Sequence, residues 1–302
     1  MARTDDDSWD ITESVGATAL GVAWSRAQEH VSECPLFTDP YAQIFVDAAV
    51  ERGWQLPPAH MVERIRAIGG YAASRTKWFD EFFVAAGANG IDQVVILAAG
   101  LDARAWRLPW IDDTEVYEID QPKVLAFKAE TLRRHEIKPT ARYVPVPIDL
   151  REDWPRALLD AGFDTTEPTA WAAEGLLPYL PASGQDLLFE RIHDLSARGS
   201  RVGVESFGAG FFDPQYLASR REKLREYRQG AGDEGSDDDS FDVQDLWFIE
   251  ERTEVTEWLT DHGWEVTAID AADLMDRYGR CAVGEADDTM PRTVFVEGQR
   301  MC

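Results

Sequence analysis

Five apolar residues, Val94 to Ala98, run without alternation into Ala99 and Gly100, followed by an acidic residue and helix-forming sequence. An unbroken apolar run suits a parallel strand buried on both faces. The strand, glycine turn and helix spelled by residues 93–107 are how doubly wound α/β domains open a nucleotide site. The turn departs from the dinucleotide pattern G-x-G-x-x-G. Its three glycine slots fall at Ala98, Gly100 and Ala103, so only Gly100 fills one. The same alignment puts Asp102 in the first helical turn, where a pyrophosphate would dock. A carboxylate and a phosphate about 4 Å apart repel by roughly 4 kcal/mol at an effective dielectric of about 20. The expected ligand is a nucleoside without phosphates.

The segment EVYEID, residues 115–120, reads as the next strand, and Asp120 lies 18 residues after Asp102. An acid at the end of the second strand of such a unit accepts the ribose hydroxyls. Glu118 would point to the same side, but Gln121-Pro122 ends the strand directly after Asp120, which favours Asp120. Capping the helix that begins near Pro122 is a second role open to this carboxylate.

The chain has 302 residues, 44% of them apolar, with 11 tryptophans, enough for one large α/β domain or two modest ones. Its 30 basic and 56 acidic residues give a net charge of −26. That speaks against a nucleic-acid partner, which needs a basic face. No stretch approaches the roughly 18 apolar residues of a membrane helix, and residues 1–10 are too polar and acidic for a secretion signal. Cys34, Cys281 and Cys302 are unclustered, which argues against a disulfide framework or zinc knuckle. His30, His60, His135, His193 and His262 show no metal spacing. A cytoplasmic protein without membrane or metal is expected.

Residues 1–90 read as helical, with helices near 15–30, from Asp39-Pro40 onward, and over 60–86 with a candidate bend at Gly69-Gly70. From residue 91 strands alternate with helices. The strands fall near 94–98, 115–119, 142–146, 169–173, 201–205, 265–269 and 292–296, and the helices near 123–135, 153–161, 184–195 and 255–262. This pattern specifies a mostly parallel sheet covered on both faces, here seven-stranded with an antiparallel last hairpin. Residues 207–254 interrupt the rhythm. They carry Phe207, Phe211, Phe212, Tyr216, Trp247 and Phe248, and a small, acidic, mobile loop at 230–240. An insertion after the fifth strand lies near the carboxyl ends of the strands, where α/β folds bind ligands. It reads as a lid over an acceptor pocket. The core is then 91–206 together with 255–302, and residues 1–90 pack on it.

With these segments in place, the sequence resembles the leucine carboxyl methyltransferase-like family, in particular its bacterial S-adenosylmethionine-dependent branch. The resemblance runs through SVGATALGVAWSRAQE, DPYA at 39–42, RTKWFDEFF at 75–83, QVVILAAGLDARAWRL, YEIDQP, PIDLRED at 147–153, WAAEGLLPYL at 171–180 and ERTEVTEWLTDHGW. It implies a class I methyltransferase, Rossmann-like α/β fold with S-adenosyl-L-methionine as cofactor. Arg75 matches the family's holder of the cofactor carboxylate, and Gly100 the glycine that lets the methionine part approach the backbone. Asp120 matches the ribose acid and Asp149-Leu150 the pair that reads adenine. Glu174 matches the acid near the methionine amino group. Ala98 stands where the family has the first glycine of Gly-Ala-Gly. Arg26 corresponds loosely to a second cation. The implied activity is O-methylation of a carboxylate or hydroxyl on a small-molecule acceptor, which Tyr179 could help position; no catalytic residue is assigned. An NAD-dependent oxidoreductase and a non-catalytic S-adenosylmethionine-binding protein are the competing readings.

Overall fold

The apolar run becomes β1 (Gln93–Leu97), all five residues of which are buried in a computed structural model. This structure describes residues 14–56, 59–208, 211, 214–216, 218–219, 222, 246–280 and 292–301. The other strands are β2 (Glu115–Asp120), β3 (Arg142–Pro147), β4 (Thr169–Ala173), β5 (Arg201–Phe207), β6 (Trp264–Asp270) and β7 (Thr293–Arg300). Their order across the sheet is β3-β2-β1-β4-β5-β7-β6. β1 to β5 run parallel, and β7 is antiparallel to both β5 and β6. The central strands β1 and β4 are wholly buried, whereas the edge strands β3 and β6 are mostly not. That difference follows from covering the middle of a parallel sheet on both faces.

On one face lie α1 (Ser14–His30), α2 (Ala42–Glu51), α3 (Ala59–Ala88), the single turn α4 (Arg104–Arg107) and α5 (Pro122–Arg134). The other face carries α6 (Trp154–Asp160), α7 (Ala182–Leu195) and α8 (Val255–Asp261). Phe79, Phe82, Phe83 and Ala86 form the buried stripe of α3, at the three-to-four-residue spacing a helix face requires. Each such buried side chain contributes about 1.5–3 kcal/mol of transfer free energy. α2 begins where the Asp39 carboxylate accepts the Tyr41 and Ala42 amides at 3.2 and 3.1 Å.

Two expectations change. α3 runs as one helix through Gly69 and Gly70. A Cβ at Gly70 would stand 2.8 Å from the Arg280 carbonyl oxygen, so this glycine admits a close neighbour. A seven-residue helix, α9 (Ala271–Arg277), also follows β6 directly and packs on the first face. Within 207–254, the 230–240 loop and Phe212 lie outside the described residues, as do Cys281 and Cys302. No described helix is long and apolar enough to cross a membrane.

Candidate active site

The turn after β1 is left-handed at two positions, Ala98 (φ +50°) and Gly100 (φ +51°). Glycine adopts such backbone freely, whereas alanine is strained there by about 1–2 kcal/mol. The departure at Ala98 therefore acts on the backbone. A Cβ on Gly100 would meet the Ala19 methyl of α1 at 3.4 Å.

Asp120, at the tip of β2, ties this turn down. Its Oδ2 accepts the Gly100 amide at 2.6 Å, and its Oδ1 accepts the Gln121 amide at 2.6 Å. It does not cap α5, whose N-cap residue is Gln121. Burial raises its pKa, against the lowering effect of those two amides. Gln121 continues the chain of bonds, donating from Nε2 to Asp149 Oδ2 at 2.5 Å. Asp149 also holds the amide and side chain of Arg151. Burial works against its charge, but Arg151 and Gln121 hold its pKa below the usual range. Leu150 is half-buried on the second core, and its backbone N–H has no hydrogen bond among the described residues.

A second arm starts from Arg75 on α3. Its Nε pairs with Glu174 at 3.0 Å and its Nη1 with Glu205 at 3.3 Å. Nη2 has no partner among the described residues. Burial opposes its charge, yet Glu205 and Glu174 raise its pKa. Glu174, just past β4, takes a second cation, Arg104 Nη1, at 2.8 Å. Arg104 is 1% exposed and also binds Asp102, the Asp80 carboxylate at 2.7 Å and the Thr76 carbonyl. The arms meet at the 98–104 turn, so the structure gathers Arg75, Gly100, Asp120, Asp149, Leu150 and Glu174 along one carboxyl edge of the sheet.

Several sequence readings need correction. Asp102 precedes α4, is 5% exposed, and its Oδ1 accepts the Arg104 amide at 2.6 Å. Burial raises its pKa, but Arg104, Arg26, Arg107 and Lys128 outweigh that and hold it low. With its charge compensated inward, it supplies no repulsion against a phosphate. What disfavours a pyrophosphate is α4 itself, a four-residue turn with little helix dipole to offer. Glu118 does not share the site either. It is fully buried against Lys128, and burial lifts its pKa to about 7 despite that cation. Arg26 is engaged at the turn, donating to the Leu101 carbonyl at 2.6 Å and pairing with Asp39 at 3.2 Å. Lys128 Nζ does the same for the Asp102 carbonyl at 2.9 Å. His193 and His262, though far apart in sequence, gather around Trp258, on whose ring His262 stacks at 3.7 Å.

Arg104 and Glu205 were not anticipated. Within DARAWR the arginine reads as an ordinary helix residue, and nothing local marks it as buried among acids. Glu205 leaves a faint trace, an acid inside the apolar strand sequence RVGVESF.

The residues fit the amino-acid-bearing nucleoside that the resemblance implies. Arg75 has a guanidinium edge left to donate, Glu174 is a carboxylate beside it, and the Leu150 amide and Asp120 lone pairs remain available. A Rossmann-like sheet with these groups at its carboxyl edge is the architecture of a class I methyltransferase. The leucine carboxyl methyltransferase family model matches residues 19–193, and the chain belongs to that family. A relative from Mycobacterium avium (strain 104), named "putative S-adenosyl-L-methionine-dependent methyltransferase", is 54% identical over 99% of both chains. One of the same name from Mycobacterium marinum (strain ATCC BAA-535 / M) is 52% identical over the same shares. A DUF574 family protein from Streptomyces avermitilis MA-4680, solved by crystallography, is 14% identical, covers 92% of this chain and 96% of its own, and has a TM-score of 0.49. The protein is an S-adenosylmethionine-dependent methyltransferase.

Proposed function

We propose that this enzyme methylates an oxygen of a small-molecule acceptor, with a carboxylate favoured over a hydroxyl. The bound cofactor supplies a methyl group on a sulfonium, open to in-line displacement by a nucleophile held about 3–3.5 Å away. The observation that carries the reading is the state of the two acids on the α3 side of the edge. Glu174 is engaged by Arg75 and Arg104, and Glu205 by Tyr71, Arg75 and the Gly175 amide. Neither is placed to take a proton. A carboxylate acceptor is already nucleophilic at neutral pH and needs no base, whereas a hydroxyl gains from one. The family's description, leucine carboxyl methyltransferase, agrees with this preference.

The acceptor side is read at Phe207, on the same strand face as Glu205 and two residues nearer the edge. Phe207, Phe211, Tyr216 and Trp247 gather there, with Phe207–Phe211 centroids 3.9 Å apart and Phe211–Trp247 centroids 5.6 Å apart. The Trp247 indole N–H is buried without a hydrogen-bond partner among the described residues, which suits an acceptor oxygen. The exposed Arg292 guanidinium lies 4.9 Å over the Tyr216 ring, a cation for an acidic acceptor. On this reading the insertion after β5, of which Phe207, Phe211, Tyr216 and Trp247 are described, serves the acceptor side, and the net charge of −26 disfavours a nucleic-acid acceptor.

The test is an extract screen with cofactor bearing a labelled methyl. Label recovered in a small molecule and released by mild alkali marks a methyl ester and supports the reading. Alkali-stable label on oxygen shifts the acceptor to a hydroxyl, and label on nitrogen, carbon or nucleic acid contradicts the proposal.

A further inference from the structure

Glu205 sits in the middle of β5, opposite Phe295 of β7, and its side chain is 4% exposed. A charge in such a place needs its hydrogen bonds made, and all of them come from two segments. The Tyr71 hydroxyl donates to Oε1 and the Gly175 amide to Oε2 at 2.7 Å, while Arg75 Nη1 lies 3.3 Å from both oxygens. Tyr71 and Arg75 are four residues apart on α3, hence on one helix face. Both reach the same carboxylate.

This pins Arg75 in one orientation. Nη1 hydrogen-bonds both Glu205 oxygens, Nε lies 3.0 Å from Glu174 in an ion pair without hydrogen-bond geometry, and Nη2 has no partner among the described residues. A planar guanidinium hydrogen-bonded at Nη1 and ion-paired along Nε is restrained in how it meets a ligand with its third nitrogen.

We propose that Glu205, itself held by Tyr71 and the Gly175 amide, is a positioning residue for the amino-acid end of the cofactor. It acts through Arg75, presenting Nη2 to the cofactor carboxylate, and touches no ligand. The inference rests on the assignment of Arg75 as the carboxylate holder. Glu205→Gln keeps the size but has one acceptor oxygen where three donors, Tyr71, Arg75 and the Gly175 amide, now bind two. Its amide N–H₂ also faces a guanidinium that can only donate. Tyr71→Phe removes one hydroxyl and nothing else.

Binding of two ligands by calorimetry separates positioning from general damage. S-adenosylhomocysteine carries the amino-acid end, and 5′-methylthioadenosine lacks it. Glu205→Gln is expected to weaken S-adenosylhomocysteine by about tenfold or more, the worth of one charge-assisted hydrogen bond, and to leave methylthioadenosine within about twofold. Tyr71→Phe should show the same selectivity with a smaller loss, and it decides the matter if Glu205→Gln does not fold. Equal losses for both ligands, or no loss for either, overturn the proposal. Arg75→Ala is measured alongside. If it too fails to discriminate, the Arg75 assignment falls and the inference with it. If it discriminates and the Glu205 and Tyr71 variants do not, only the positioning role falls.

Discussion

The carboxylate of Asp120 accepts the Gly100 amide at 2.6 Å, so the acid at the tip of β2 shapes the turn that follows β1. Buried carboxylates are costly unless bonded, and this one is bonded to the loop it serves.

Asp120→Ala removes both functions together. Two charge-assisted hydrogen bonds to a ribose are worth about 1.5–3 kcal/mol each, so S-adenosylhomocysteine affinity should fall by at least about a hundredfold. Unfolding should stay cooperative with a modestly lower midpoint, because two half-buried amides, those of Gly100 and Gln121, lose their acceptor. Calorimetric titration and thermal melts check the two halves, and unchanged affinity would remove Asp120 from the site.

Ala98 carries left-handed backbone at φ +50°. Ala98→Gly should therefore stabilise the protein, by up to about 1 kcal/mol after allowing for the greater freedom of glycine in the unfolded chain. Urea unfolding midpoints test this. A destabilised variant would show that the alanine methyl packs more favourably than its strained backbone costs.

The charge on Asp102 is held by Arg104, with Arg26, Arg107 and Lys128 behind it. A carboxyl whose pKa is lower folded than unfolded contributes stability above its unfolded pKa and loses it as pH falls through the folded one. Asp102→Asn should cost about 3–5 kcal/mol at pH 7, because it strands buried arginine charge. The gap to the parent should narrow below about pH 4, as the parent's own carboxyl takes up its proton. Urea titrations at both pH values measure it, and a gap that widens in acid would contradict the sign.

Lys128 is fully buried, paired with Glu118 and bonded to the Asp102 carbonyl. Lys128→Met should destabilise by about 3–5 kcal/mol by leaving Glu118 unpaired. Adding Glu118→Leu should recover part of that loss. Additive losses in the double variant, read from denaturation midpoints, would mean the two side chains do not interact.

What the sequence discloses here follows from how local each signal is. β1 and β4 are apolar on both faces, and Asp120, Glu174 and Gly100 each end or follow a strand, so pattern alone locates them. For Asp102 the position along the turn is legible in the sequence but the direction of its side chain is not. Arg104 and Glu205 take most of their partners from α3, which brings Asp80, Arg75 and Tyr71 to them from 24, 130 and 134 residues away. No window of sequence contains that meeting. α9 leaves little trace in the sequence, because its seven residues follow β6 directly with no side-chain cap.

The most direct measurement is titration of the purified protein with S-adenosylhomocysteine and, separately, with NAD. Saturable binding of the first, lost in Asp120→Ala, with none of the second, is the expected result. Saturable NAD binding with no response to S-adenosylhomocysteine would contradict the assignment of the carboxyl edge of β1, β2 and β4 as a methyl-donor site.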